Sequence, residues 1–186
     1  MIVGVDTDQG RLDKMVAGLR DAGGRAHARR ADALDAAQVQ GVVDAVVAEH
    51  GRIDVLVNAV GGSTIIDRPA ASVDDLTLAD WQRLLHFNLT GTFLFCHAVV
   101  PVMKRQRREL GPFGVNVNAI APSLTLTERV RPHWERRTPE QQAREIDHTP
   151  LRRVAEARDQ ARVICFLASA DADFVTGVTI DVTGGV

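Results

Sequence analysis

The chain has 186 residues, of which 45% are hydrophobic and 25% charged, which is enough for one compact domain with its own core. A formal net charge of -2 and only 4% aromatic residues give no basis for binding nucleic acid, through charge or through base stacking. No apolar run reaches 18 residues and no signal peptide precedes the first element, so we expect no membrane partner and a cytoplasmic location.

The first third of the chain alternates between short apolar runs and helical patterns. Residues 2–5 are a β-branched run ending at Asp6, residues 25–30 are a weaker run, and residues 53–57 are apolar apart from Asp54. Apolar residues recur at helical spacing between them. This order of strand, helix, strand, helix, strand predicts a parallel sheet with helices on both faces.

The remainder of the chain continues the same alternation with longer connections. A T-L-A-D sequence at Thr77 predicts the start of a long helix, and Gly111–Pro112 predicts a break. The later predicted elements are a helix over 78–103, a strand over 115–120, a short helix over 140–146, a helix over 155–169 and a strand over 178–182.

Neither thiol nor metal chemistry is indicated. Cys96 and Cys165 each sit in an apolar run and are interpreted as small buried residues, in keeping with a reducing compartment. No histidine pair has the H-x-x-x-H spacing of a metal site, so we predict no metal. The scattered histidines are His86, His97, His133 and His148.

Polar residues follow the predicted strands where a ligand of a parallel sheet would bind. They are Asp6, Asp32, Asn58 and residues 123–127. A carboxylate at the place of Asp6 can accept both ribose hydroxyls of an adenosine and repels a 2′-phosphate, which favours NAD over NADP. A helix-capping aspartate is an equally good interpretation of Asp6 taken alone.

Several short motifs occur in a fixed order over nearly the whole chain. They are 3–6 (VGVD), 31–33 (ADA), 51–61 (GRIDVLVNAVG), 87–91 (FNLTG), 114–123 (GVNVNAIAPS), 166–169 (FLAS), 176–177 (TG) and 181–185 (DVTGG). Together they resemble the short-chain dehydrogenase/reductase family. The resemblance implies an α/β fold with a doubly wound, Rossmann-like parallel sheet, and a single NAD-binding domain over residues 1–186.

The resemblance also implies roles for residues on the adenosine side of the cofactor. Asp6 would bind the ribose, and Asp32 would hydrogen-bond the adenine amino group, with a backbone contact from Ala33. Asn58 and Ala59 would line the adenosine side of the cleft.

On the nicotinamide side, Pro122, Thr125 and Thr127 match the stretch that holds the carboxamide, with backbone and hydroxyl contacts from the two threonines. Asn88 matches the helix asparagine that supports the catalytic proton relay. The alternative for Asn88 is a helix-kinking amide satisfied by backbone groups. The cofactor implied is NAD.

The chain departs from the family where the chemistry should lie. It contains no glycine-rich phosphate-binding turn, and residue 104 runs almost directly into Gly111, where the family has its serine and Y-x-x-x-K. It contains no tyrosine at all. We therefore expect the family's first and fifth strands to be missing, which would leave apolar strand edges unpaired.

These features give two interpretations of function. The first is an NAD(P)-dependent oxidoreductase that interconverts a secondary alcohol and a ketone, inactive as this chain. The alternative is a non-catalytic, shortened relative that binds nucleotides weakly or serves in oligomer assembly. In either case we expect a homo-oligomer, a dimer or a tetramer. Residues 63–76 and 124–150 carry no recognisable substrate pattern.

Overall fold

The computed structural model of the protein describes residues 1–69, 71–106 and 114–186. The predicted break at Gly111–Pro112 lies outside the described residues. The chain forms two compact units, Met1–Gly114 and Val115–Val186, each with its own secondary structure.

The first unit opens with two strands and two helices that agree with the sequence pattern. These elements are β1 (Ile2–Asp6), α1 (Gln9–Asp21), β2 (Ala26–Arg30) and α2 (Ala36–His50). β1 and β2 pair in parallel, with Ile2 opposite Ala26 and Asp6 opposite Arg30. The helices begin at aspartate N-caps, and α2 ends at Gly51, whose positive φ of 75° suits glycine.

The long helix predicted over 78–103 is present, but it is not one regular helix. It consists of α3 (Leu78–Leu85), a π-helical turn (His86–Thr90) and α4 (Gly91–Gln106). The side chain of Thr77 accepts a hydrogen bond from the amide of Asp80 and caps α3. The π-helical turn widens the helix by a residue, and such turns are common at functional sites.

By length and apolar composition alone, the helical stretch Leu78–Gln106 could cross a membrane. The prediction of no membrane partner considered only uninterrupted apolar runs and did not detect this property. A mostly buried core helix of a soluble protein passes the same test, whereas 17% of this apolar window is buried. Here α4 packs against α2, and Val99, Val102 and Met103 are buried.

The strand predicted over residues 53–57 is not formed. These residues have no regular secondary structure, and Val55 and Val57 are each 50% exposed. The end of α4 holds the start of the segment, because the side-chain amide of Gln106 donates to the Ile53 carbonyl at 2.7 Å and accepts from the Ile53 amide at 2.8 Å. At Ile53, the side chain of Gln106 therefore makes the two backbone hydrogen bonds that a neighbouring strand would otherwise make.

The second unit contains four short strands and three helices. Its elements are β3 (Ala119–Pro122), β4 (Thr125–Leu126), α5 (Arg131–Glu135), α6 (Pro139–His148), β5 (Ala155–Glu156), α7 (Ala157–Leu167), a 3₁₀ turn (Ala170–Ala172) and β6 (Thr179–Val182). β3 pairs with β6 and β4 pairs with β5, both in parallel. The predicted helices at 140–146 and 155–169 and the final strand are confirmed to within a few residues.

The strand predicted over 115–120 forms only from Ala119 onward. Before it, side chains and one backbone bond hold the chain. Asn118 donates to the Val175 carbonyl at 2.8 Å, the Val117 amide donates to the Thr176 hydroxyl at 3.1 Å, and the Gly177 amide donates to the Val117 carbonyl at 2.8 Å. Val117 is largely exposed. The apolar pattern predicted a strand from residue 115, but residues 115–118 do not pair with a neighbouring strand and so do not form one.

The fold is therefore of the α/β, Rossmann-like class, with every strand pair parallel, but the described strands form three two-stranded sheets instead of one wide sheet. Residues 53–57 pair with no described strand, but they form no strand themselves, so they present no unpaired strand edge of the kind expected. The prediction of two buried cysteines is wrong, since Cys165 is exposed and Cys96 is half-buried. Cys165 lies on the outward-facing side of α7.

Candidate functional site

Asp6 ends β1 and is half-buried. Its Oδ1 accepts hydrogen bonds from the Asp8 amide at 2.9 Å and from the Thr7 hydroxyl at 3.5 Å. Both bonds use the same oxygen, and no described residue donates a hydrogen bond to Oδ2, which is therefore the oxygen that could bind a ligand. The N-cap of α1 is Asp8, not Asp6. The capping interpretation of Asp6 therefore does not describe its part in this structure.

Asp32 and Ala33 follow the carboxyl end of β2, beside Asp6. The amide of Ala31 donates to the Asp6 carbonyl at 3.1 Å, which continues the β1–β2 pairing by one residue. Asp32 Oδ1 accepts from the Leu34 amide at 2.9 Å, and this bond fixes the carboxylate at the turn. Ala33 is buried against the start of α4, where a Cβ on Gly91 would lie 3.2 Å from the Ala33 Cβ.

Asn58 and Ala59 lie just after the unformed strand and are exposed. The side-chain nitrogen of Asn58 donates to the Cys96 sulfur at 3.5 Å, a weak contact that links this loop to α4. The loop therefore remains in the same unit as the ends of β1 and β2, although the strand that should carry it has not formed.

Asn88 lies in the π-helical turn, and its side chain makes three hydrogen bonds to the backbone. Its Oδ1 accepts from the Gly62 amide at 2.7 Å, and its Nδ2 donates to the Gly62 carbonyl at 3.1 Å and to the Leu84 carbonyl at 2.8 Å. A Cβ on Gly61 would lie 2.7 Å from Asn88 Oδ1, so the glycine permits this approach. In this structure the side-chain amide of Asn88 is therefore satisfied by backbone groups, at a turn where the helix widens.

Contacts therefore join four parts of the first unit into one edge: the end of β1, the turn after β2, the loop 58–62 and the π-helical turn. The linking contacts are Ala31 to Asp6, Ala33 to Gly91, and Asn88 to Gly62. An acidic group with an unused oxygen, a second carboxylate and several exposed backbone groups at such an edge can bind the hydroxyls and amines of a nucleoside.

In the second unit, Pro122, Thr125 and Thr127 lie where β3 ends and β4 begins. The Thr125 hydroxyl donates to the Ser123 carbonyl at 2.9 Å. Thr127 begins a helical turn, because its carbonyl accepts from the amides of Val130 and Arg131. Pro122 is exposed at the carboxyl end of β3, the side of a parallel sheet where ligands bind.

Sequence reasoning missed Gln160, which organises this second group. Gln160 is buried on α7, and its Nε2 donates to the Thr125 hydroxyl at 3.2 Å and to the Val182 carbonyl at 3.0 Å. It thus ties β4, β6 and α7 together. Gln160 shares its helix face with Val163, Ile164 and Leu167, so the sequence places it on the apolar face of α7. Its hydrogen-bond partners could be found only in three dimensions.

Electrostatics at the start of α7 are dominated by Asp159 and Arg153. The Arg153 guanidinium makes two hydrogen bonds to the Asp159 carboxylate, at 2.6 Å and 2.9 Å. This pairing, together with the Glu156 amide, lowers the pKa of Asp159 to about 2. At the start of α2, hydrogen bonds from Gln38 likewise lower the pKa of Asp35. Both shifts belong to helix caps, not to an acid/base pair.

Comparison with known families identifies the class of protein. The model of the short chain dehydrogenase family matches residues 1–108, and the model described as enoyl-(acyl carrier protein) reductase matches residues 106–186. The chain belongs to the short-chain dehydrogenase/reductase family. The two matches meet near residue 107, where the sequence analysis placed the missing serine and Y-x-x-x-K segment.

Among curated relatives, cyclohexanol dehydrogenase of Rhodococcus sp. is 33% identical over 95% of this chain and 78% of its own length. D-threitol dehydrogenase of Mycolicibacterium smegmatis is 32% identical, over 83% of this chain and 70% of its own length. The FabG reductase of Thermotoga maritima is 28% identical to this chain. Their alignment is 222 residues long and covers all of this chain and 87% of the length of the relative. That relative therefore has residues inside the matched region that this chain lacks.

Solved structures agree with the family. A short-chain type dehydrogenase/reductase from Mycobacterium ulcerans superposes with a TM-score of 0.84 at 26% identity, over 98% of this chain and 79% of the other. The 3-oxoacyl-[acyl-carrier protein] reductase from Brucella melitensis superposes with a TM-score of 0.81 at 26% identity, over 99% of this chain and 81% of the other.

Proposed function

We propose that the protein is an NAD-dependent oxidoreductase that interconverts a small secondary alcohol and a ketone. The observation that carries this proposal is the place of Asp6, at the carboxyl end of β1 beside Asp32, with one carboxylate oxygen unused. The relatives named above, dehydrogenases of cyclohexanol and D-threitol, support an alcohol as the substrate class.

The residues present fit the adenosine half of NAD. Asp6 Oδ2 would accept from the ribose hydroxyls, and a carboxylate there would repel the 2′-phosphate of NADP. Asp32 and Ala33 would contact the adenine, and Asn58 and Ala59 would line the same side. NAD supplies the hydride chemistry when bound.

In the second unit, Pro122, Thr125 and Thr127 would contact the nicotinamide carboxamide. Gln160 would hold Thr125 in place through the hydrogen bond to its hydroxyl. In this proposal Asn88 acts through the loop at Gly62, and its support of the proton relay consists of fixing that loop.

The absence of tyrosine from the 186 residues limits the chemistry that this polypeptide performs alone. A positioned acid/base contributes about 10²–10⁴-fold to the rate, and no other described group is placed to replace it. We therefore propose that a polypeptide of these residues turns over its substrate at a negligible rate. The same observation favours the second candidate function, a shortened relative that binds nucleotide weakly or serves in assembly.

We also propose a cytoplasmic homo-oligomer, a dimer or a tetramer. The support is a row of exposed apolar side chains at helical spacing along α3, the π-helical turn and α4, of the kind that a second copy can cover. The row consists of Leu78, Trp81, Leu85, Leu89 and Phe93.

Two assays test the proposal on a purified chain whose intact mass equals 20.2 kDa. NADH binding, followed by fluorescence, should be measurable and should weaken at least about tenfold in Asp6→Ser, whose NADH-over-NADPH preference should also fall. Asp13→Ser, an exposed carboxylate on α1, is the matched control. A chain that binds no nucleotide contradicts the oxidoreductase proposal.

Oxidation of cyclohexanol with NAD should remain at background in the same preparation. A substantial rate from the verified 186-residue chain would show that some other group donates the proton, and would overturn the proposed inactivity. Nucleotide binding without turnover would indicate a non-catalytic relative that binds nucleotide. A chain that serves only in assembly would bind no nucleotide and would show no turnover.

A further inference from the structure

Three potential metal ligands meet at the edge of the first unit away from the proposed nucleotide site. They are His27 on β2 and the consecutive residues Glu49 and His50, which end α2. One ligand atom from each lies within 4.8 Å of the other two. β2 runs from Ala26 to Arg30, so His27 lies near the amino end of the strand, whereas Asp32 follows its carboxyl end.

The carboxylate of Glu49 lies between the two imidazoles. Its Oε1 is 2.9 Å from His27 Nδ1 and 3.7 Å from His50 Nε2. The ring centroids of the two histidines are 5.6 Å apart and their planes are tilted by 56°. The rings are therefore not stacked, and each presents a nitrogen edge to the same carboxylate oxygen.

One buried atom of this group makes no hydrogen bond to any described residue. It is Nε2 of His50. A buried imidazole nitrogen is costly when unpaired, whether it carries a proton or a lone pair. A cation bound between His50 Nε2 and Glu49 Oε1 would satisfy both atoms.

Distances suit a tetrahedral ion after small side-chain movements. Zinc bonds to imidazole nitrogen and carboxylate oxygen at about 2.0–2.2 Å, which sets neighbouring ligand atoms about 3.3 Å apart. The separations of 2.9 Å and 3.7 Å fall on either side of that value. Three protein ligands would leave the fourth position open.

Two neighbouring features have opposite effects on the binding of a cation at this site. Glu49 lies in the last turn of α2, whose unpaired carbonyls give that end of the helix a partial negative charge. The Arg29 guanidinium pairs with the other oxygen, Glu49 Oε2, which orients the carboxylate but adds a positive charge. Because Oε1 still faces both histidines, the ligand set is complete despite this pairing.

We propose that His27, Glu49 and His50 bind a divalent transition-metal ion of the zinc type, and that the ion ties the end of α2 to β2. Two imidazoles and one carboxylate are ligands that such ions accept. The site is independent of the proposed NAD-binding residues. It escaped the sequence analysis because His27 and His50 lie 23 positions apart, with no motif spacing to join them.

The test is a titration of the chelator-treated, full 186-residue chain with Zn²⁺, in a Cys165→Ser background that removes the exposed thiol. Calorimetry should give one ion per chain. Of the six histidines in the sequence, the imidazole NMR signals of His27 and His50 should shift on saturation and the other four should not. Zn²⁺ should also raise the melting temperature, since it binds only the folded chain.

Variants identify the ligands. His27→Gln and His50→Gln should each weaken Zn²⁺ binding at least about tenfold and abolish the rise in melting temperature. His133→Gln, a surface histidine of the second unit, should leave both unchanged. The proposal fails if Zn²⁺ does not bind, if it shifts other histidines, or if the ligand variants bind as the parent does. Should a variant not fold, the NMR titration of the parent chain decides alone.

Discussion

Residues 2–5 and 53–57 are both short, mainly apolar runs, followed by the polar residues Asp6 and Asn58, yet only the first lies in a strand. Ile2–Asp6 pairs over its whole length with Ala26–Arg30, and α1 packs against both strands. Within the described ranges 1–69, 71–106 and 114–186, residues 53–57 have no such partner, and the hydrogen bonds to their backbone are those that join Ile53 to the Gln106 side chain. A strand needs neighbours as well as an apolar sequence.

The comparison indicates what the lack of a neighbouring strand does to an apolar segment. Interior strands of a parallel sheet are apolar because both of their faces are covered. No described strand pairs with residues 53–57, and Val55 and Val57 are exposed. The helices and caps around them, which depend on contacts near in sequence, form as they do elsewhere in the chain.

The largest expected difference between the two regions is in stability. Val39→Ala, at a site only 1% exposed on α2, should lower the free energy of unfolding by about 2 kcal/mol, because it leaves a cavity in packed surroundings. Val57→Ala, at a site 50% exposed, should change it by less than about 0.5 kcal/mol. Urea denaturation of both variants makes the comparison.

Both variants remove the same two methyl groups, so each serves as the control for the other. An equal loss of stability would mean that residues 53–57 are buried in solution, by a second copy or by another part of the polypeptide. That result would remove the contrast between the two runs.

A smaller effect is expected at Asn88, which ties the loop after the unformed strand to the helix. Asn88→Ala removes three side-chain hydrogen bonds and leaves the Gly62 amide unpaired, at a cost of about 1–2 kcal/mol. Hydrogen exchange should show faster exchange at the Gly62 amide.

Asn58→Ala is the matched control, because its side chain contacts only a sulfur at 3.5 Å. Its cost should stay below about 0.5 kcal/mol, and exchange at Gly62 should not change. Unchanged exchange at Gly62 in Asn88→Ala would show that the loop is held by something other than the asparagine.

Sequence reasoning succeeded where contacts are local. The caps of α2 and α3 at Asp35 and Thr77, and the periodic faces between them, depend on residues a few positions apart, so their elements could be predicted. The class of fold followed from the order of the elements, and the structures of relatives confirm it.

It failed where the outcome depends on distant residues. The hydrogen bonding of Gln160 depends on Thr125 and Val182, and the meeting of His27 with Glu49 depends on how β2 packs with α2. The π-helical turn at Asn88 also left no mark in the apolar pattern, which continues through it. These features come from tertiary packing, which no local pattern encodes.

The smallest expected effect is a change in the pKa of Asp159, which depends on contacts between residues that are close in sequence. Asp159 caps α7 by accepting from the Glu156 amide at 2.8 Å, and Arg153 pairs with the same carboxylate. Arg153→Gln should raise the pKa of Asp159 from about 2 toward its ordinary 3.8. Carboxyl NMR titration measures this shift, and Arg162→Gln, on the same helix, should leave it unchanged.

The sign of the pH effect follows from the lowered pKa. The folded chain holds the Asp159 proton less tightly than the unfolded chain does, so the carboxylate stabilises the fold fully above pH 3.8 and loses that contribution as the pH falls toward 2. Asp159→Asn should therefore flatten the dependence of stability on pH within this window. A pKa that stays near 2 in Arg153→Gln would assign the shift to the Glu156 amide, and the cap would then depend on the backbone alone.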